Sequence, residues 1–379
     1  MLRPFWLNKL KAAWEKRPII WLSGVRRSGK TTIAKMMPDT HFLNCDLPST
    51  ARELTDPEYF LKSQQSGSII VFDEIHRLED PTTVLKICAD EFPTLKILAT
   101  GSSTLTASSK FKDTLTGRKI DIFLPPVIWP ETKNEFNIKN LNLRLQRGGL
   151  PEHLLMENYT PEYYSEWIDS FFARDIQELF SVRNRSGFLN LFRLLLRRSG
   201  STVEYSSLSQ ESGISRPTLS SYIEALSIAN AIFLLPPFHG GGKRELIKRP
   251  KVYAFDTGFV AFENGWDTLR ESEQGTLWEH LVLDSLRTTF SDERIHYWCD
   301  KTGREIDFVI KQGREAITIE CKLNPDKFDT DNLQNFRTLY ESGKNFVVSP
   351  HIKKPYTRNI KNLEIIFCDI DHIMLTENL

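Results

Sequence analysis

Gly24-Val25-Arg26-Arg27-Ser28-Gly29-Lys30-Thr31 follows directly on the apolar run Ile19-Ile20-Trp21-Leu22. The spacing G-x-x-x-x-G-K-[ST] is that of a loop whose backbone N–H groups cradle phosphates, with a lysine reaching the β- and γ-phosphates and a hydroxyl on Mg²⁺. Gly24, Arg26, Arg27, Ser28, Gly29, Lys30, Thr31 and Thr32 are the candidate nucleotide-binding residues, with Lys30 on the phosphates and Thr31 on the metal. A buried strand enters the glycines. A helical stretch over residues 32–37 leaves them and is ended by Pro38, which is the context such a loop requires.

Downstream, Ser68-Ile69-Ile70-Val71-Phe72-Asp73-Glu74 reads as a central parallel strand that ends in two carboxylates. Asp73 is placed to hold Mg²⁺ through its water shell, and Glu74 to polarise the water that attacks a γ-phosphate. The pair points to ATP hydrolysis rather than to binding alone. Apolar stretches at 41–45, 95–100 and 119–124 are separated by enough chain for crossover helices, so the fold class expected is α/β with a doubly wound parallel sheet. Ligands of such sheets sit at the carboxyl ends of the strands. The 95–100 strand runs into Gly101-Ser102-Ser103, which makes Ser102 a candidate contact to the γ-phosphate or its water, with a plain turn as the alternative. Arg118 is a candidate arginine finger for a neighbouring subunit, with a solvated arginine as the alternative. His76 is expected at the surface.

The chain has 379 residues and 40% apolar composition, enough for two or three domains with substantial cores. Lys+Arg and Asp+Glu are both 49, so any argument for nucleic acid has to be local. The five cysteines are scattered without a C-x-x-C pair, which indicates neither a disulfide framework nor a zinc ribbon. No apolar run approaches the ~20 residues needed to span a bilayer. A soluble cytoplasmic protein with no membrane partner is expected.

The stretches Gly24 to Thr32, Asp73-Glu74, Gly101-Ser102-Ser103, Gly117-Arg118, Leu124-Pro125-Pro126 with Glu131, Gly148-Gly149-Leu150-Pro151-Glu152 and Arg174-Asp175-Ile176 resemble the AAA-type P-loop ATPases of bacteria and archaea that carry a C-terminal domain of unknown function. The resemblance covers nearly the whole chain. Val25 stands where that family usually has a proline, at a loop position that touches nothing chemical. The resemblance implies ATP and Mg²⁺ as cofactors and an ATP-dependent oligomer, hexameric or otherwise.

Past a helical stretch at 161–198, expected to form a lid, residues 205–212 read as a short helix. Gly213 reads as a turn, and Ser215 with Pro217 as the start of a second amphipathic helix. That is the helix-turn-helix pattern, and Ile232-Phe233-Leu234-Leu235 then opens a wing with Gly240-Gly241-Gly242 at its tip. Lys243, Arg244, Lys248, Arg249 and Lys251 place five cations in nine residues there. With Arg216 on the outward helix face, Lys243, Arg244, Lys248 and Arg249 are the candidate DNA contacts, DNA being the expected partner. Packing against neighbouring protein is the alternative.

In the last domain Glu305-Ile306-Asp307-Phe308 and Ile319-Glu320-Cys321-Lys322 read as paired strands, with Glu279 on a preceding helix. This constellation resembles the PD-(D/E)xK nucleases. The resemblance implies that Glu279, Asp307 and Glu320 are metal ligands and Lys322 is catalytic, in a restriction-nuclease-like domain. The expected domains are an ATPase core at 1–155, a helical lid at 156–198, a winged helix at 199–258 and the nuclease-like domain at 259–379. Together these readings describe an ATP-hydrolysing motor or remodeller of DNA. The rival is a signalling or scaffold NTPase whose last two domains bind protein and cut nothing.

Overall fold

The computed structural model describes residues 3–375, apart from 102–104, 106–108, 158–159, 178–179, 181 and 240–248. Strands β1 (Ile19–Ser23), β2 (Thr40–Asn44), β3 (Ile69–Asp73), β4 (Lys96–Thr100) and β5 (Lys119–Phe123) form one parallel sheet in the order β2-β3-β4-β1-β5. Trp21, Phe72 and Ala99 pack on one face with Leu85 and Cys88 of the Pro81–Glu91 helix. Leu22, Val71 and Leu98 pack on the other with Leu10 and Ile33, from the Pro4–Trp14 and Lys30–Lys35 helices. Burial on both faces is why these strands read as unbroken apolar runs rather than as alternating ones. The α/β doubly wound parallel sheet expected from the sequence is the fold observed.

Because β4 lies between β3 and β1, the carboxyl ends of all three meet. Leu22 pairs with Thr100 and Phe72 with Ala99, which sets Thr100 beside Asp73 and beneath the loop that leaves β1.

Beyond the sheet, the helix Arg185–Arg197 leads into β6 (Ser201–Thr202), the helices Tyr205–Ser212 and Arg216–Ile228, and then β7 (Ile232–Leu235) and β8 (Lys251–Ala254). The three strands form an antiparallel sheet with β8 in the middle. Gly213, at φ 68°, makes the turn between the two helices, a conformation that costs a residue without Cβ little. Leu219, Ile223 and Leu226 bury one face of the second helix, while Arg216, Ser220 and Ser221 stay exposed on the other.

The last part is a mixed sheet in the order β13-β14-β12-β11-β10-β9, from β9 (Ile295–Cys299) and β10 (Glu305–Gln312) to β11 (Glu315–Cys321), β12 (Asn345–Val348), β13 (Tyr356–Ile360) and β14 (Leu363–Cys368). The hairpin β10-β11 is antiparallel, whereas β11, β12 and β14 run parallel. The helix Glu271–Thr289 covers one face through Leu277, Leu281 and Trp278, and the helix Asp331–Arg337 covers the other through Leu333 and Phe336. One continuous core runs from Leu191 and Leu219 through Tyr253 and Phe255 to Leu281 and Ile319. That shared core sets β8 against the carboxylates of the C-terminal sheet.

Candidate functional site

The loop after β1 turns on two glycines. At Gly24, φ 153°, a Cβ would stand 2.4 Å from the Leu124 carbonyl, and Gly29 lies at φ 99°. Behind the loop the Arg3 guanidinium, 3% exposed, forms two 2.7 Å hydrogen bonds with the Glu131 carboxylate and donates a third to the Ser28 carbonyl at 3.1 Å. A buried arginine paired this completely holds the loop's backbone in place.

In front of the loop lies a cavity of about 460 Å³ lined by Gly24, Arg26, Arg27, Gly29, Lys30, Thr31, Thr32, Glu74, His76, Gly101, Arg174 and Asp175, with Ala229 and Asn230 among the residues closing it. The Lys30 ammonium donates to the Gly24 carbonyl at 2.8 Å and to Val25 at 3.1 Å. Burial lowers its pKa, although Glu74, Asp175 and Asp73 nearby oppose the shift. Such an ammonium is stabilised by an anion entering the cavity. The Thr31 hydroxyl lies 3.0 Å from the Asp73 carboxylate, so two hard oxygen donors stand side by side, which fits Mg²⁺.

Glu74 sits at φ 57°, a left-handed backbone unusual for a residue with a side chain and often found where function holds it. Its N–H donates to the Thr100 hydroxyl at 3.0 Å, and that hydroxyl donates to Asp73 at 2.7 Å. Thr100 thus ties the Asp73 carboxylate to the Glu74 backbone, a contact the sequence reading missed. The signal was there in the parallel register, since Thr100 ends the strand next to Asp73. Ser102, the residue chosen from sequence, lies outside the described residues. His76, expected at the surface, has Nδ1 3.3 Å from the Glu74 carboxylate and lines the cavity. Asp175 was also missed as a site residue. It sits in the π-helical segment Phe172–Gln177, 3.5 Å from Arg26, and burial raises its pKa.

Arg118 does not line this cavity. Its guanidinium pairs with both oxygens of Asp90, at 2.6 and 3.1 Å, at the amino end of β5. Of the wing cations, Lys243, Arg244 and Lys248 lie outside the described residues. Arg249 is 55% exposed and pairs with Glu204 at 3.0 Å. Lys251, counted with the wing in the sequence reading, is instead 4% exposed and turned inward.

The structure brings Glu279, Asp307, Glu320 and Lys322 together, with Lys251, Tyr253 and Glu305 among them. The register Phe308 to Ile319, carried one residue on, sets Asp307 opposite Glu320. A register shift of β10 against β9 between Ile306 and Val309 re-aims Asp307, whose carboxylate accepts from the Cys321 N–H at 2.7 Å. Lys322 donates to Glu320 at 3.0 Å and lies 3.9 Å from Asp307. Lys251 lies 2.5 Å from Glu305 and 3.3 Å from Glu279, which also accepts from the Tyr253 hydroxyl. Burial pushes Glu279 up to about 7 and Glu320 up to about 8. Among the described residues no three His, Cys, Asp or Glu side chains are placed to hold a metal ion. Two of the carboxylates that the nuclease resemblance assigns to Mg²⁺ are bonded here to side chains of the protein, Glu320 to Lys322, and Glu279 to Lys251 and the Tyr253 hydroxyl.

Three family profiles divide the chain. One described as an AAA domain matches residues 16–133, one described as a domain of unknown function (DUF8612) matches 138–270, and another of that description (DUF4143) matches 274–366. The amino-terminal part is accordingly similar to AAA domains. An uncharacterized protein of Mycobacterium tuberculosis is 25% identical over 327 residues, 83% of this chain and 72% of that protein. An uncharacterized protein of Methanocaldococcus jannaschii is 26% identical over 336 residues, 79% of this chain and 74% of that protein. Among solved structures, a RuvB variant of Thermotoga maritima matches at 16% identity and a TM-score of 0.33, over 62% of this chain and 90% of that one. No helix among the described residues is long and apolar enough to cross a membrane.

Proposed function

We propose that this chain is an ATP-hydrolysing, DNA-binding AAA-type protein of the cytoplasm in which nucleotide turnover moves a winged helix. One observation carries the reading. The nucleotide cavity is lined on one side by Lys30, Thr31 and Glu74 and on another by Ala229 and Asn230, which end the second helix of the helix-turn-helix unit. A change of charge in the cavity therefore acts directly on one end of the helix whose other end carries Arg216.

In the hydrolytic step Lys30 leaves its loop carbonyls for the phosphates, and Thr31 and Asp73 would hold Mg²⁺. When bound, the ion neutralises charge developing between the β- and γ-phosphates. Glu74 orients the attacking water and accepts its proton, while Thr100 holds the Asp73 carboxylate and the Glu74 backbone in register. Ser102, just past β4, is proposed to reach the γ-phosphate. Arg118 is proposed to act on a neighbouring subunit's nucleotide, which calls for an ATP-dependent oligomer such as a hexamer.

The order helix, strand, two helices, strand, wing, strand supports a winged helix. The mixed sheet with Asp307 and Glu320 on adjacent strands supports a restriction-nuclease-like fold for the last domain. The deciding experiment measures ATP hydrolysis with and without duplex, single-stranded and branched DNA. Stimulation by one of these is expected; an unchanged rate together with no DNA binding at low salt would leave the scaffold reading in its place. The pairing of Arg249 and the inward turn of Lys251 favour that second reading, because they withdraw two cations from any phosphate contact.

A further inference from the structure

Four carboxylates, Glu279, Glu305, Asp307 and Glu320, meet in the C-terminal domain, and two ammonium groups lie among them. Lys322 comes from the same hairpin as Asp307 and Glu320. Lys251 comes from another unit: β8, the middle strand of the three-stranded sheet, where it pairs in register with Leu235. Its side chain is 5% exposed, and its Nζ stands 2.5 Å from Glu305 and 3.3 Å from Glu279. Tyr253, two residues along β8 and so on the same face, donates its hydroxyl to that same Glu279 oxygen. The Tyr297 ring lies 5.4 Å from the ammonium on a further side. A lysine so enclosed, from a strand hydrogen-bonded on both edges, is a fixed part of the cluster and not a swinging surface cation. The cavity of about 350 Å³ that opens beside this region is lined by Cys321, Lys322, Asn324 and Lys327, and none of the four carboxylates lines it.

We propose that Lys251 is the resident cation of this acidic cluster. Its ammonium holds Glu279 and Glu305 as Lys322 holds Asp307 and Glu320, so the C-terminal domain is a metal-free joint onto the helix-turn-helix unit and not a DNA-cutting centre. A cation relieves the repulsion between clustered carboxylates on neighbouring strands, and it favours their charged forms where burial disfavours them. Two lysines face the four carboxylates, two of which, Glu279 and Glu320, burial already shifts toward the neutral form. A divalent ion entering as well would meet two ammonium groups as like charges, and one of the two Glu279 oxygens already holds Tyr253 and Lys251. The inference goes beyond the ATPase and DNA reading and stands or falls independently of it.

The test titrates Mn²⁺ into the nucleotide-free full chain by calorimetry, for wild type, Asp307→Asn, Lys251→Met, and Lys251→Met with Asp307→Asn, each checked for fold by near-ultraviolet circular dichroism. Wild type and Asp307→Asn are expected to bind Mn²⁺ equally. Lys251→Met is expected to gain one site per chain, and the double variant to lose it. Mn²⁺ binding by wild type that disappears in folded Asp307→Asn would overturn the proposal. So would a folded Lys251→Met that gains no site. Should Lys251→Met fail to fold, the comparison of wild type with Asp307→Asn still decides: equal binding supports the internal cation, and Asp307-dependent binding refutes it.

Discussion

Thr100→Val is the sharpest perturbation of the ATPase site, because it removes one oxygen and changes the shape hardly at all. The threonine is fully buried at the end of β4; its hydroxyl donates to Asp73 at 2.7 Å and accepts the Glu74 N–H at 3.0 Å. Valine leaves a carboxylate oxygen and a backbone donor without this partner. A hydrogen bond to a charged group contributes about 1.5–3 kcal/mol. If that energy holds Asp73 and Glu74 in their transition-state positions, its loss lowers kcat by roughly 10- to 150-fold, at 1.36 kcal/mol per tenfold. Steady-state ATP hydrolysis at saturating nucleotide reads the effect. Thr100→Ser, which restores the hydroxyl, is expected to recover most of the rate. A folded Thr100→Val protein hydrolysing ATP at the wild-type rate would refute the role given to Thr100.

Glu74→Gln should still bind nucleotide yet hydrolyse it at least ~10²-fold more slowly, whereas Lys30→Ala should lose binding; fluorescent-nucleotide titration beside the hydrolysis assay separates the two, and wild-type turnover by Glu74→Gln removes it as the base. If Arg118 acts across subunits, inactive Arg118→Ala and Lys30→Ala proteins should regain hydrolysis on mixing, and no recovery counts against a shared site. Replacing Lys243, Arg244 and Lys248 should flatten the log K against log salt slope for DNA by up to ~0.9 per lost phosphate contact. Replacing Arg249 alone should change the slope little, given its pairing with Glu204; the reverse ranking would mean that the Glu204 pair opens on DNA. Burial raises Asp284 to about 8 and lowers its neighbour His280 to about 3. A raised carboxyl pKa favours the fold at low pH and loses that contribution as pH rises through about 8, while the imidazole's contribution is already complete above ~6.5. The urea midpoint of wild type should therefore fall between pH 6.5 and 8.5 more steeply than that of Asp284→Asn, and parallel slopes would sink the argument.

The parts legible without coordinates are those whose chemistry is local. Gly24 to Thr31 and Asp73-Glu74 each fit within one loop or one strand end, so residue spacing alone determines which atoms can meet, and the apolar runs between them determine a sheet buried on both faces. The helix pair around Gly213 was legible for the same reason, since a turn and a helical stripe depend only on neighbours in the chain. Thr100 needed the strand order, because being next to Asp73 is a property of the register between β3 and β4 and not of either strand. His76 was misplaced because the turn that follows Glu74 carries it back over the carboxylate. Lys251 is the clearest case. In the sequence it is one more cation among Lys243, Arg244, Lys248 and Arg249, and counting charge says nothing about direction. Only the packing of β8 against the Glu271–Thr289 helix turns its side chain toward Glu279 and Glu305, and the cost of burying an unpaired ammonium then makes those carboxylates its partners.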